Sequence, residues 1–314
     1  MDIDISQKQI NKIGKKFRDN IHEDTDLDFL EKFRSTYDEI IVTTINNISE
    51  KLKKKIDKYI IVGRLKRTWS IIRKLQRKNN YGMDLTRMSD LAGLRIIISN
   101  IKIQDQVINF LNETFEVQKK YDYRDKDQPY RSVHLILKDK DYKLLEIQIR
   151  TIAQHTWADE SESFGEHAKQ GIYLKEIGEY LKILSNVTQK IDKDENVDQS
   201  TIDNEMFKFK SPINGKFVRL SKFFNNFKIT NDKYKTKYYL VVYDSLDDSL
   251  VSEDEFYLDD KNEIYELYKH KTNILDENRF EIIFFVSSLG KQVLKITHPR
   301  FFASNQFINL TQNL

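Results

Sequence analysis

Apolar residues in the first fifty positions recur at helical intervals. Ile10, Ile13 and Phe17 form one stripe, and Leu27, Phe29, Leu30 and Phe33 open a second that continues through Ile40 and Ile41. The rhythm then shortens. Tyr59-Ile60-Ile61-Val62-Gly63 is a β-like run, after which Thr68 or Ser70 would cap a helix carrying Ile71, Ile72 and Leu75 on one side. Leu94-Arg95-Ile96-Ile97-Ile98 has the β-branched density of a buried strand, and Val107, Phe110 and Leu111 mark a helix between Ile103 and Phe115. Two alternating strands follow: Val133, Leu135 and Leu137 alternate with Ser132 and His134, and Leu145, Ile147 and Ile149 with Glu146, Gln148 and Arg150. Helices resume from about Ile152 to Lys190. This order predicts an α+β unit built on a mixed sheet flanked by helices.

Ile191 to Asn204 is acidic and polar, and the predicted linker falls at 195–206. It would separate residues 1–194, with a motif-bearing core at about 51–170, from a smaller α/β domain at 207–314. Two lengths of 100–200 residues suit a chain of 314. Beyond the linker the chain turns aromatic and strand-like, at Tyr238–Tyr243 and Phe280–Val286, with a helical stretch at Glu263–Lys271 between. These aromatics read as core rather than as a ligand platform.

With 39% apolar residues the chain has material for real cores, which excludes global disorder. It has no cysteine, and this excludes a disulfide framework, a thiolate metal site and a cysteine nucleophile together. No apolar run approaches the ~20 residues of a membrane helix. Met1-Asp2-Ile3-Asp4 carries acid where a signal peptide carries base. The expectation is a soluble, cytoplasmic protein with no membrane partner. Net charge is +3, but between Lys51 and Lys78 twelve Lys or Arg face one acid, Asp57. Such a segment suits phosphate, and its plainer alternative is a solvated helix face.

Arg64 and Lys66 lie two apart on an extended segment and share a face, and Ser70 and Lys74 lie four apart on a helix. Cations, a hydroxyl and a helix N-terminus around one point are what a polyphosphate requires. The ordinary alternative is basic surface decoration. Asp90, just before the apolar strand, either caps a turn or holds Mg²⁺ beside substrate phosphates. Arg95, set among isoleucines, needs a partner or a cleft. Glu146, Gln148 and Arg150 share one strand face, which is either a solvated surface or the floor of a site. Tyr130 offers a ring for stacking on a base, and His134 a phosphate donor, although a lone histidine on a strand is more often structural.

In order along the chain, GRLKRTWSIIRKL, SDLAGLRIIIS, YDYRDKDQPYRSVH, LLEIQIRT and QHTWADESES resemble the successive signatures of the RelA/SpoT-type (p)ppGpp, or alarmone, synthetase domain. The resemblance implies a nucleotidyltransferase-like fold and a pyrophosphokinase. Such an enzyme moves the β,γ-pyrophosphate of ATP to the 3′-hydroxyl of GDP or GTP, making the alarmone of the stringent response. It implies that Arg64 and Arg95 sandwich the adenine and that Lys66, Ser70 and Lys74 hold the ATP phosphates. Asp90 would be the principal Mg²⁺ ligand, and Glu146 a second ligand or the group that activates the acceptor hydroxyl. Tyr130 would stack on the acceptor base, with His134, Gln148 and Arg150 completing the acceptor side.

Pro129 stands where the family usually has glycine, and proline fixes φ and removes an N–H, so the acceptor pocket is expected to be reshaped. None of the six histidines is followed by Asp, so the His-Asp hydrolase signature of long relatives is missing. The ending SSLGKQVLKITHPRFFASNQFINL resembles a tail that accompanies some RelA/SpoT-domain proteins. Two further functions compete with alarmone synthesis. One is a toxic family member that pyrophosphorylates the 3′ end of tRNA, which the basic segment would also suit. The other is a catalytically silent nucleotide- or RNA-binding module, against which the paired Asp90 and Glu146 argue. The C-terminal domain is the expected place for self-association or a regulatory partner.

Overall fold

The computed structural model describes residues 6–77, 82–139, 141, 143–163, 175–193, 236–247 and 249–302. Helices α1 (Gln7–Arg18), α2 (Asp24–Ser35) and α3 (Asp38–Leu52) lead into strand β1 (Ile60–Leu65) and helix α4 (Thr68–Gln76). Strand β2 (Ala92–Ile98) and helix α5 (Ile101–Thr114) precede β3 (Val117–Asp122), β4 (Val133–Lys138) and β5 (Leu144–Thr151). Helices α6 (Ile152–Ser163) and α7 (Lys175–Asp192) follow. The C-terminal part adds β6 (Lys237–Asp244), β7 (Ser249–Tyr257), α8 (Lys261–Ile274), β8 (Phe280–Ser287), α9 (Lys291–Thr297) and α10 (Pro299–Phe302). The fold is α+β. None of the helices among the described residues is long and apolar enough to cross a membrane.

All eight strands form one sheet in the order β3-β4-β5-β2-β1-β8-β6-β7. β2 and β5 are parallel and the other neighbours antiparallel, so the sheet is mixed. The C-terminal strands extend this sheet: β8 pairs with β1 through Gly63↔Val286, Arg64↔Phe285 and Leu65↔Phe284. Tyr238 hydroxyl donates to Asp38 Oδ2 at 3.0 Å, and one buried core runs from Phe17 and Ile41 to Tyr239 and Phe285. β6 and β8 carry apolar residues on both faces because both are interior strands. The predicted linker at 195–206 and the tail beyond 302 lie outside the described residues.

The sequence does not announce β3 or β7. They are the two edges of the sheet, rich in Lys or in Asp and Glu, and an edge strand half in solvent carries little apolar alternation. The helix start at α4 also differs from expectation. Neither Thr68 nor Ser70 caps it. Arg67 occupies the cap position without a side-chain bond, and Thr68 turns instead to Glu31 and to Tyr268 hydroxyl.

Gly63 decides how closely α3 lies on the sheet. A Cβ there would clash with Ile41 Cγ2 and crowd Ile45 Cδ1 at 3.1 Å and Leu94 Cδ2 at 3.2 Å. Gly63→Ala is expected to cost about 1–3 kcal/mol by overpacking, read as a lower denaturant midpoint; an unchanged midpoint would show that α3 shifts freely. Because Gly63 faces α3, its neighbours Val62 and Arg64 point to the opposite face. Cross-strand pairing then sets Arg64 beside Gly93, Val62 beside Arg95, Gly93 beside Glu146, and Gln148 between Arg95 and His134. One face of four adjacent strands thereby gathers the polar residues singled out above.

Candidate active site

That polar face opens into a cleft of about 270 Å³. Arg64 and Lys66 enter from the end of β1, and Ser70, Arg73, Lys74 and Arg77 from one side of α4, where spacings of three and four residues keep a common face. The first turn of α4 has no acidic residue and no side-chain cap, which leaves its N–H groups for an anion. Lys66 and Lys74 converge on Asp90, each with Nζ 2.9 Å from a carboxylate oxygen. Burial alone would raise the Asp90 pKa, but the two ammonium groups outweigh it and hold the carboxyl well below the usual range. Burial lowers the Lys66 pKa, against the opposing pull of Asp90.

The turn bearing Lys66 is held from behind. Buried Arg34 donates from Nε to the Lys66 carbonyl at 2.6 Å and pairs with Glu31 at 3.1 Å, with its guanidinium 4.2 Å above the Tyr268 ring. α2 and α8 therefore fix where the cleft's cations point.

Arg95 has the partners its position demands. Nη1 donates to the Thr297 carbonyl at 2.8 Å, and Nη2 lies 3.8 Å from Glu162 of α6. Burial lowers its pKa to about 10. Glu281 of β8 closes another side, 2.6 Å from Arg67, and His298 and Phe301 complete the wall.

Glu146 and Gln148 line the cleft, and a hydrogen-bonded chain leads away from them. Gln148 Nε2 donates to Glu146 Oε2 at 3.0 Å, and His134 Nδ1 lies 3.0 Å from Oε1. His134 Nε2 is 2.7 Å from Tyr130 hydroxyl, which accepts from Arg150 Nη2 at 2.9 Å. With Nδ1–H given to Glu146 and the tyrosine proton given to Nε2, every link is satisfied. Burial would lower the His134 pKa, yet Glu146 and Tyr130 raise it; burial would raise Glu146, yet His134 lowers it. The carboxylate thus stays ionised.

Tyr130, read from the sequence as a ring for stacking on a base, is enclosed by other rings. It is half-buried and meets Tyr123, His134 and Trp157 edge to face, at centroid distances of 5.4, 5.7 and 5.9 Å. Its hydroxyl is the link between His134 and buried Arg150, whose Nε and Nη1 already lack partners. Tyr130→Phe is expected to cost about 1–3 kcal/mol of stability, the usual penalty for stranding buried polar groups. An unfolding midpoint equal to that of the unaltered chain would contradict this.

Arg64, Lys66, Ser70, Lys74, Asp90, Arg95, Glu146 and Gln148 thus share one cleft, while Tyr130, His134 and Arg150 form the chain behind Glu146. Arg67, Arg73 and Arg77 belong to the cleft as well, and their spacing with Ser70 and Lys74 would have disclosed them. Glu162, Glu281, His298 and Phe301 had no such signal, because only folding brings them near. The basic segment divides: Lys51, Lys53, Lys54 and Lys55 are exposed before β1, at the opposite end of that strand from Arg64. Among the described residues no three His, Asp or Glu side chains cluster as a metal cage. Asp90 and Glu146 both line the cleft, near enough that the charge of Asp90 acts on Glu146.

Residues 63–167 match the family described as "Region found in RelA / SpoT proteins". The GTP pyrophosphokinase YjbM of Bacillus subtilis is 34% identical over 110 residues, covering 31% of this chain and 52% of the relative. The GTP pyrophosphokinase YwaC of the same organism is 38% identical over 113 residues, with coverages of 31% and 52%. The chain thus spans about half the length of these curated relatives. The crystal structure of small alarmone synthetase 1 from Bacillus subtilis covers 58% of this chain and 99% of its own, at 25% identity and a TM-score of 0.47. From Gly63 in β1 onward, residues 63–167 thus carry the region found in RelA/SpoT proteins.

Proposed function

We propose that the chain is an ATP-dependent pyrophosphokinase, transferring the β,γ-pyrophosphate of ATP to the 3′-hydroxyl of GDP or GTP. The observation that carries this reading is the Lys66–Asp90–Lys74 cluster facing ionised Glu146 across one cleft. The names of the Bacillus subtilis relatives, both GTP pyrophosphokinases, support the reaction and a guanosine acceptor. A cytoplasmic location belongs to the same reading, since both nucleotides are pooled there.

In this scheme Arg64 and Arg95 hold the adenine, and Lys66, Ser70 and Lys74 bind the phosphates at the open end of α4. The acceptor 3′-oxygen attacks the β-phosphorus, the bond from that phosphorus to the α–β bridging oxygen breaks, and AMP leaves. The hydroxyl proton passes toward Glu146 as the new P–O bond forms. A low pKa makes Glu146 a weak base, so its main work is to accept and aim the hydroxyl. This agrees with phosphoryl transfer generally, where positioning and charge neutralisation dominate. His134, Gln148 and the Tyr130–Arg150 link keep the carboxylate in place, and the Tyr130 ring borders the acceptor side.

The donor set fits Mg²⁺, a hard cation bound through one or two carboxylates plus substrate phosphates. Asp90 and Glu146 would hold it, and it would supply neutralisation of charge on the transferred phosphates. Lys66 and Lys74, each 2.9 Å from an Asp90 oxygen, already offset part of that carboxylate's charge.

A second reading keeps the chemistry and changes the acceptor to the 3′ end of tRNA. The exposed lysines at 51–55, remote from the cleft, favour it, because a long polyanion needs contacts beyond the reaction centre. Incubation with ATP labelled in the γ-phosphate and, in parallel, GDP, GTP, adenine nucleotides and bulk tRNA separates the readings. Label on GDP or GTP is expected. Label on tRNA alone would favour the second reading, and label on none would refute pyrophosphate transfer.

A further inference from the structure

The C-terminal segment touches the donor half of the cleft at a chemically specific place. Thr297 ends α9, its carbonyl takes the guanidinium of Arg95 at 2.8 Å, and the next residue, His298, lines the cleft with Arg64 and Arg95. The His298 ring packs on Phe285 at a centroid distance of 4.5 Å, and Phe285 is the cross-strand partner of Arg64. Beta-strand register and side-chain packing together thus bring a residue from the far end of the chain to the expected adenine position.

The tautomer of His298 follows from its neighbour. Thr297 Oγ1 has one proton, which we assign to the Val293 carbonyl at 3.0 Å. Toward His298 Nδ1, at 2.8 Å, Oγ1 is therefore the acceptor, and Nδ1 carries the ring proton. Nε2 is left with a lone pair, and among the described residues no hydrogen bond reaches it. Burial, then the charges of Arg95 and Arg64, hold the His298 pKa well below the usual histidine value, so the ring stays neutral. The other acceptors nearby, Glu162 and Glu281, face Arg95 and Arg67. A neutral acceptor among arginines favours a base edge that donates.

We propose that His298 is a specificity-determining residue for the donor base, its Nε2 accepting a hydrogen bond from the exocyclic 6-amino group of adenine. This rests on the ATP-donor reading above. A 6-oxo purine would set a carbonyl oxygen against the same lone pair and be disfavoured. The C-terminal segment would then complete the nucleotide site, and Thr297 would act as a positioning residue for both His298 and Arg95.

The test measures equilibrium binding of ATP and of inosine triphosphate without acceptor, beside steady-state transfer from each. The full chain is expected to bind ATP roughly tenfold more tightly than inosine triphosphate. His298→Phe keeps a ring against Phe285 and removes the acceptor; it should bring ATP down to the level of inosine triphosphate and leave the acceptor KM unchanged. Equal binding of the two nucleotides by the unaltered chain would overturn the inference, and so would a preference that survives in His298→Phe. Should that variant fail to fold, the comparison of the two nucleotides on the unaltered chain still decides. Transfer from ATP without base preference removes only this inference, whereas binding of neither nucleotide removes the donor reading and the inference with it.

Discussion

Asp90→Asn is expected to lower pyrophosphate transfer by about three orders of magnitude or more, roughly 4 kcal/mol of barrier. The amide keeps the shape of the carboxylate and discards its charge, so Lys66 and Lys74, each 2.9 Å from it, lose their shared counter-ion. The position borders an open cleft, and water replaces part of what is lost; a stability change of about 1–2 kcal/mol is expected. The acid limb of stability provides an independent check. A carboxyl whose folded pKa lies below its unfolded value adds stability above the unfolded pKa of ~3.9, and that stability is lost as pH falls through the folded value. Asp90 has this sign, so the variant should show a flatter loss of stability between neutral and acid pH. A purified variant with near-normal turnover would contradict the assignment of Asp90 to the reaction centre.

Glu146→Gln comes second in expected effect. A loss of ~10²–10⁴-fold in turnover, about 3–5 kcal/mol, is expected with ATP binding kept, because Glu146 faces the acceptor hydroxyl in the proposed scheme. The amide oxygen can still accept from His134 Nδ1, which spares the chain to Tyr130 and Arg150. It cannot hold a charge beside the imidazole, so the His134 pKa, raised by Glu146 in the unaltered chain, should fall, as NMR titration would read. Equal losses in ATP affinity and turnover would make Glu146 a donor-binding residue instead.

How much of this was legible beforehand follows from where each signal resides. Alternation in Val133–Lys138 and Leu144–Thr151 is a property of the local chain, and it disclosed both strands and the shared face of Glu146 and Gln148. Arg95 among isoleucines announced a cleft or a partner, and the structure gives it both. Its actual partners, Thr297 and Glu162, depend on packing that no spacing encodes. The edge strands β3 and β7 escaped because solvent, not core, meets much of their surface. The aromatic segments after Lys237 were legible as strands. That they would join β1 rather than fold apart was not, since strand pairing between distant segments leaves no mark in either alone. Tyr130 shows the same limit at the scale of one atom: its ring was visible in the sequence, and the work of its hydroxyl was not.

The co-product of the reaction tests the central claim most directly. Pyrophosphate transfer cleaves ATP between its α- and β-phosphates, whereas simple phosphoryl transfer cleaves between β and γ. With ATP, Mg²⁺ and GDP or GTP, separation of the adenine nucleotides should show AMP accumulating mole for mole with the pyrophosphorylated acceptor, and no ADP above a protein-free control. ADP in place of AMP, or AMP with no modified acceptor, would contradict the account.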